Sequence, residues 1–344
     1  GPLFMMQLYC PSCESNLTIL ADNIRCEKCA RNWERREGIL SFVGKDDPVE
    51  AIAPEKWERI FAAIEGKSNR QIQDYFASSK FQGGRELFNS FRSNKADAFS
   101  FLDVTDEDVI LETGCGSGSL TVPLAKRCRE VYALDASLSR LRLLQLRSKN
   151  DNLNNIISIH ARAATLPFQG ACFDDVVLND LRDNGREKDA DPRDTLKMNL
   201  KTARELLKEK GRIFISAENR HGLEFLYKKR SRSKLYLPGF LPRFVADLIT
   251  RKFRGEPYRV YSWMDYRKML AEAGFRDIEF YYVWPDGNDP KYIFAAKDRN
   301  IFSYYLEHFL KNTISVWEYK LFRWAYQAGM ESRFVPNFFI VGKK

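Results

Sequence analysis

The chain has 344 residues, which is enough for one large α/β domain with additional segments. Its hydrophobic content is an ordinary 44%, and no apolar run in it reaches the length that a bilayer crossing needs, which argues against a transmembrane segment. Lysine and arginine exceed aspartate and glutamate by 55 to 46, and the net charge of +9 favours an anionic partner: nucleic acid, a phosphorylated substrate or a membrane surface.

Four of the seven cysteines form two C-x-x-C pairs near the start of the chain, at Cys10, Cys13, Cys26 and Cys29. Two such pairs place four thiolates around a tetrahedral ion, the geometry that zinc prefers. Residues 17–24, between the pairs, predict a short β-hairpin. A module over residues 1–45 buries little apolar core, so metal binding would supply much of its stability. The sequence predicts one structural zinc ion per chain.

The segment that closes this module, Trp33 followed by Gly-Ile-Leu-Ser-Phe at 38–42, resembles the zinc-ribbon family of the small activator subunit of tRNA methyltransferases. This resemblance implies a zinc ribbon. The ribbon's purpose stays open between a packing module and a docking surface. A redox or catalytic role of the cysteines is the less favoured alternative.

Residues 46–102 predict a linker followed by a helical cap. The linker is polar and contains two prolines, and the residues from 55 onward carry aromatic side chains at helical spacing. Gly-Gly-Arg-Glu at 83–86 interrupts this pattern. Arg85 is either a residue that binds an anionic group or a solvated surface charge.

A strand, a tight turn and a helix follow. Residues 109–111 are apolar and β-branched, and Glu112 comes directly before a Gly-x-Gly-x-Gly loop at Gly114, Gly116 and Gly118. Glycine is needed where the backbone turns sharply and a ligand approaches its N–H groups. The next apolar run, 130–135, ends in Asp135, about twenty residues further on, where a ribose-binding carboxylate is expected.

The spacing differs from the G-x-G-x-x-G of dinucleotide-binding enzymes, and Glu112 would repel a pyrophosphate but suits an ammonium group. The loop therefore resembles motif I of class I S-adenosylmethionine (SAM) methyltransferases, which implies that Asp135 binds the ribose hydroxyls. A glycine-rich turn without a ligand is the alternative. The predicted SAM-binding residues are Arg85, Glu112, Gly114, Cys115, Gly116, Gly118, Asp135, Ala136, Ala163 and Asn179.

Further apolar runs predict the remaining strands, at 156–160, 173–178, 212–217, 275–284 and 337–341. Together with the intervening helices they predict a Rossmann-like seven-stranded class I methyltransferase sheet, with helices on both faces, within residues 103–344. Two helical insertions interrupt it. Residues 222–260 are rich in lysine and arginine, and residues 285–335 are aromatic.

The predicted catalytic residues follow the fourth and fifth strands of this sheet. Of the three histidines, His221 alone follows a core strand at the ligand-binding edge, and it is the leading general-base candidate. Asp180 is second, and Glu218 would orient the base or bind the acceptor. A loop histidine without a catalytic role remains the alternative for His221.

Three short segments, at 84–87, 218–223 and 280–286, are similar to methyltransferases encoded with bacterial polysaccharide-assembly enzymes. This resemblance implies O-methylation of a small-molecule, sugar or glycan-type acceptor, phosphorylated and lipid-linked acceptors included. The open alternatives are an rRNA or tRNA methyltransferase that binds RNA through the ribbon and the basic insertion, and a non-catalytic SAM-fold partner subunit. Nothing resembles a signal peptide, so we expect a cytoplasmic protein, either free or peripheral to a membrane.

Overall fold

The computed structural model describes residues 6–43, 52–78, 83–92, 102–163, 166–179, 191–222, 242, 244–245, 248, 260–285 and 287–344. The chain divides into two compact units, residues 1–188 with 205–212, and residues 189–204 with 213–344. Asp180 and most of the basic insertion at 222–260 lie outside the described residues, so the predictions made for them stay predictions.

The first unit begins with four short strands: β1 (Leu17–Ile19), β2 (Asn23–Cys26), β3 (Asn32–Arg36) and β4 (Ile39–Ser41). Each pairs antiparallel with the next. The hairpin expected between the cysteine pairs is present, because β1 and β2 pair from Leu17 opposite Cys26 to Ile19 opposite Ile24.

The last of these strands joins the main sheet of the first unit. That sheet contains β5 (Val109–Thr113), β6 (Glu130–Asp135), β7 (Ile156–His160) and β8 (Phe173–Leu178). β4 pairs with β7 in parallel, with Leu40 opposite Ile159 and Ser41 opposite His160. All three residues of β4 are buried. The cysteine-bearing strands are therefore a continuation of the α/β sheet.

The central strands have the order β4-β7-β6-β5-β8. β5 pairs in parallel with both β6 and β8. From β5 the chain first builds outward through β6 and β7, and it then returns to place β8 on the other side of β5. In an open parallel sheet the carboxyl ends of the strands at such a switch point form the ligand-binding crevice. α4 (Thr121–Ala125) and α5 (Leu138–Asn150) follow β5 and β6.

The segment predicted to form a helical cap contains three helices: α1 (Pro54–Ile64), α2 (Asn69–Ser78) and α3 (Gly84–Ser90). Their buried residues form one hydrophobic cluster that includes Leu143 of α5. The cap therefore packs on the helix that follows β6. The members of the cluster contributed by the three helices are Trp57, Ile60, Ile64, Ile72, Phe76 and Leu87.

The second unit contains most of α6 (Pro192–Leu206) and the second half of β9 (Leu207–Glu218). α7 (Trp263–Glu272), β10 (Arg276–Trp284), β11 (Tyr292–Ala295), α8 (Arg299–His308), α9 (Val316–Gln327) and β12 (Asn337–Lys343) follow. β10 pairs antiparallel with both β11 and β12. α8 and α9 lie within the insertion predicted to be helical.

All seven predicted strands exist, as β5 to β10 and β12, but the predicted strand count is too low. The described residues contain twelve strands, because β1 to β4 extend the sheet beyond β7 and β11 pairs with β10. Among these residues no helix combines the length and apolarity that a membrane crossing requires.

Candidate functional site

The glycine loop after β5 has a backbone that only glycine adopts without strain. Gly114, Gly116 and Gly118 have φ values of 71°, 55° and 87°. The N–H of Gly114 donates to the carbonyl of Leu134, at the end of β6, over 2.8 Å. A Cβ atom on Gly118 would lie 2.5 Å from Cδ1 of Leu144. The loop is thus packed closely against β6 and α5, and its three glycines adopt left-handed backbone conformations.

Asp135 is fixed at the carboxyl end of β6 and faces this loop. Its Oδ2 accepts a 2.8 Å hydrogen bond from the N–H of Gly116, and its Oδ1 accepts one of 2.8 Å from the N–H of Ser137. A carboxylate at this position, at the end of a strand and against the glycine loop, is of the kind that binds ribose hydroxyls.

Glu112 is fully buried at the end of β5. Its Oε2 accepts from the hydroxyl of Thr121 over 2.6 Å, and its Oε1 accepts from Nδ2 of Asn179 over 3.2 Å. The N–H of Asn179 in turn donates to the carbonyl of Thr113 over 3.0 Å. These contacts hold a carboxylate at the switch point between β5 and β8, where burial without partners would be costly.

The pKa of Cys115, which lies within the loop, is affected by the neighbouring charges. The pKa of its thiol is raised well above the ordinary value, first by burial and then by the negative charges of Asp135 and Glu112. The positive charge of Arg140 acts in the opposite direction. The two carboxylates would attract a sulfonium or an ammonium group. The residues present fit SAM.

Arg147 of α5, which the sequence analysis did not select, connects the cap to the loop. Its guanidinium is buried, donates to the carbonyls of Ser90 and Ser117, and lies 4.1 Å from the ring centre of Phe91. Burial lowers the pKa of Arg147 to about 10, so the group remains charged at neutral pH. Arg147 lies three residues after Leu144, on the same apolar face of α5. This helical spacing is the sequence pattern that could have identified it.

Arg140 is a second arginine close to the loop. A Cβ atom on Gly116 would lie 3.6 Å from its Nη1, and its Nη2 donates to Oε1 of Glu86 over 2.9 Å. Arg85, the predicted ligand of the SAM carboxylate, is exposed in the first turn of α3. Arg140 is therefore a further candidate for that contact.

His160 links β4 to Ala136, the residue that directly follows Asp135. Its Nε2 lies 3.1 Å from the carbonyl oxygen of Ala136, and its Nδ1 lies 2.9 Å from the hydroxyl of Ser41 on β4. A carbonyl only accepts, so Nε2 carries a proton, and the hydroxyl of Ser41 is the partner of Nδ1. The loop after β7, which contains Ala163, starts beside Asp135, since the N–H of Ala161 donates to the carbonyl of Asp135 over 3.2 Å.

The four cysteines converge as expected. All four sulfur atoms lie within 4.8 Å of one another, with 3.7 Å between Cys10 and Cys29 and 3.4 Å between Cys13 and Cys26. A tetrahedral ion with zinc–sulfur bonds of about 2.3 Å separates its ligands by about 3.8 Å. None of the four forms a disulfide. The cluster fits a metal ion.

The second unit contains the other predicted catalytic residues. Glu218 ends β9, and the side chain of Asn219 is buried and donates to the carbonyls of Ser332, Arg333 and Val335. Oδ1 of Asn219 accepts from the N–H of His221 over 3.2 Å, which fixes the backbone of that residue.

His221 is half-buried, and its pKa is lowered from the ordinary value. Burial is the largest cause, the positive charges of Arg220 and Arg333 act in the same direction, and Asp265 opposes them. The imidazole is therefore neutral at pH 7 and able to accept a proton.

Residues 110–211 match a family model described as a methyltransferase domain. The "Probable cobalt-precorrin-6B C(15)-methyltransferase (decarboxylating)" of Methanococcus vannielii is 56% identical over 36 residues, 10% of this chain and 20% of that protein. A demethylmenaquinone methyltransferase of Geobacillus is 26% identical over 212 residues, 55% of this chain and 81% of that protein. The complex of the Haloferax volcanii Trm112 methyltransferase activator with a methyltransferase has a TM-score of 0.46 at 15% identity, covering 79% of this chain and 96% of that chain.

The match confirms a methyltransferase domain over residues 110–211. It includes Glu112, the glycine loop, Asp135 and Asn179, and it ends before Glu218 and His221. The chain spans only 20% and 34% of the first two curated relatives.

Proposed function

We propose that this chain is an S-adenosylmethionine-dependent methyltransferase that O-methylates a small-molecule, sugar or glycan-type acceptor. The observation that carries the cofactor assignment is the pair of fixed carboxylates, Glu112 and Asp135, on either side of a glycine loop at the switch point of a parallel sheet. Asp135 suits a ribose, and Glu112, directly before the loop, would repel a pyrophosphate but suits the positively charged ammonium group of SAM.

The roles of the cofactor-binding residues follow from their positions. Asp135 would accept the ribose hydroxyls, Glu112 with Asn179 would face the ammonium end, and the loop N–H groups would line the ligand. The backbone at Ala136 and Ala163, beside Asp135, would border the adenosine. When bound, SAM supplies a methyl group already activated by its sulfonium, so the protein has only to align the acceptor and remove its proton.

His221 is proposed as the general base, with Asp180 as the second candidate and Glu218 as a group that orients the base or binds the acceptor. Its lowered pKa supports this role, because a base must be unprotonated at working pH. The four-cysteine cluster is proposed to hold one structural zinc ion, which elemental analysis of the purified protein would detect at one equivalent per chain.

A two-stage experiment tests the function. Calorimetric titration with SAM should show binding, and Glu112→Gln should weaken it. Methyl-labelled SAM is then incubated with separate pools of sugar nucleotides, glycolipid extract, demethylmenaquinone and total RNA. Label in the sugar or glycolipid pool supports the proposal. Label in RNA alone would favour the nucleic-acid alternative, and SAM binding with no labelled pool would favour a non-catalytic partner subunit.

A further inference from the structure

Large apolar side chains that are exposed to solvent are concentrated in one part of the second unit. Of the eleven such residues in the described part of the chain, six lie between residues 301 and 324, on α8, on α9 and in the turn between them. We call these six the aromatic face: Ile301, Tyr304, Phe309, Val316, Trp317 and Trp324. A concentration of this kind marks an interaction surface more often than scattered exposed residues do.

α9 has two faces of opposite character. Glu318, Phe322 and Ala325 are buried on its inner face, and the ring of Phe322 lies 5.2 Å from that of Trp284. The opposite face carries Val316, Trp317, Lys320, Arg323 and Trp324, at the spacing of one helical stripe. Val316 is 71% exposed, and the two tryptophans are 47% and 51% exposed, so about half of each indole is in water.

α8 and the turn after it contribute the remaining residues. Tyr304 is 60% exposed and lies 4.3 Å from His308, ring centre to ring centre, with Phe309 next to them. The hydroxyl of Tyr319 donates to Oε2 of Glu307 over 2.7 Å, which joins α9 to α8. The aromatic face therefore lies on a helix pair that is tied together by a direct hydrogen bond.

The charges around the aromatic face have a small positive excess. Residues 300–327 contain three cations, Lys311, Lys320 and Arg323, and two carboxylates. Glu318 is buried in the N-terminal cap of α9, and Glu307 accepts from Tyr319 and lies 3.9 Å from Arg323. Lys311 and Lys320 are exposed, and neither forms an ion pair within the part of the chain that the structure describes.

We propose that the aromatic face binds the surface of an anionic phospholipid bilayer. Tryptophan and tyrosine rings favour the boundary between headgroups and acyl chains, and aliphatic tips such as Val316 enter the acyl region. Lysine and arginine beside them reach the lipid phosphates through their flexible stems. This inference concerns the location of the protein and is independent of which acceptor it methylates.

Charge and shape favour a bilayer over two other partners. A second copy of this chain, related by a twofold axis, would place two surfaces with the same positive excess against each other. RNA binding depends on many phosphate contacts, whereas this surface has only three cations, and Arg323 lies 3.9 Å from Glu307. The aliphatic tips of Val316 and Ile301 suit an acyl region better than a base.

The test uses the full-length protein and sedimentation with sucrose-loaded vesicles. We expect binding to vesicles of phosphatidylcholine and phosphatidylglycerol at 3:1, with little binding to pure phosphatidylcholine and a decrease as salt is raised. The double variant Trp317→Ala, Trp324→Ala should lose at least tenfold in vesicle affinity. Met264→Ala, which alters an exposed apolar residue of α7 in the same unit, is the matched control and should bind normally.

A second measurement separates loss of binding from loss of folding. Tryptophan fluorescence of the native protein should be quenched by vesicles containing brominated acyl chains, and this quenching should be lost in the double variant at an unchanged thermal midpoint. Three results would overturn the inference: vesicle affinity that the double variant retains, a dimer seen by sedimentation velocity that the double variant abolishes, or RNA binding that it abolishes without any vesicle binding by the native protein.

Discussion

The hydroxyl of Ser41 lies 2.9 Å from Nδ1 of His160. Ser41 is on the last strand of the cysteine-bearing segment, and the other nitrogen of His160 lies 3.1 Å from the carbonyl of Ala136, directly after Asp135. One imidazole thus connects the four-cysteine module with the residue proposed to bind the ribose of SAM. The backbone of the same module is joined to β7 by the parallel pairing of β4 with β7.

Ser41→Ala should weaken SAM binding without unfolding the protein. The substitution removes the hydroxyl that pairs with Nδ1 of His160, so the ring that contacts the Ala136 carbonyl is positioned less firmly. A single hydrogen bond contributes about 0.5–1.5 kcal/mol, so the dissociation constant for SAM should rise about two- to tenfold. Calorimetric titration measures it. Ser12→Ala, which removes an exposed hydroxyl beside Arg31 in the same module, should leave SAM affinity unchanged. Equal affinities in all three proteins would contradict the connection.

Asp135→Asn should weaken SAM binding at least tenfold. Asparagine keeps the size of the side chain and one acceptor oxygen, but it loses the charge and the second acceptor that a ribose diol needs. Such a paired contact is worth about 1.5–3 kcal/mol, and tenfold corresponds to about 1.4 kcal/mol. Asp106→Asn, at an exposed position of the same unit, is the control. An unchanged dissociation constant in Asp135→Asn would remove Asp135 from the cofactor site.

The central strands could be predicted because they are buried on both faces and therefore appear as continuous apolar runs. The polar residues that end these runs were identified with them: Glu112 is the penultimate residue of β5, Asp135 ends β6, and Asn179 directly follows β8. The glycine spacing also indicated where the backbone needs positive φ angles.

Contacts between distant segments could not be predicted in this way. Ser41 and His160 are 119 residues apart, and a local hydrophobic pattern does not determine which strands pair. For this reason the sequence did not indicate that β4 pairs with β7 and thereby joins β1 to β4 to the sheet. Arg147 was missed because arginine is usually solvated, and only its position on the apolar face of α5 distinguishes it.

Arg147→Met should destabilise the first unit. Methionine keeps much of the apolar stem but removes the donors to the carbonyls of Ser90 and Ser117. Hydrogen bonds from a charged group contribute about 1.5–3 kcal/mol, and the free energy of unfolding should fall by about that amount. Urea denaturation measures it. Arg142→Met on the same helix removes pairs with the exposed carboxylates of Glu37 and Glu58, for which about 0–1 kcal/mol is expected. If the two variants lose equal stability, Arg147 does not have the connecting role described above.

The proposed role of His221 predicts the pH dependence of methyl transfer. A general base works only when unprotonated, so kcat should fall as the pH falls through the pKa of His221. Because burial and the neighbouring arginines lower that pKa, the decrease should lie below about pH 6.5, the ordinary value of histidine. His221→Gln should reduce kcat by about 10²–10⁴ and remove the decrease, since glutamine does not titrate. His308→Gln, at an exposed position on α8, should retain both the rate and the profile.

Arg333→Gln distinguishes a titrating His221 from another base. Arg333 is exposed, and its positive charge is one of the causes that lower the pKa of His221. Without that charge the pKa should rise, and the acid limb of the kcat profile should move to higher pH, by less at high salt because the interaction is screened. The rate on the plateau should stay the same. If the limb keeps its position in Arg333→Gln and survives in His221→Gln, the group that titrates is a different one, and Asp180 becomes the leading candidate for the base.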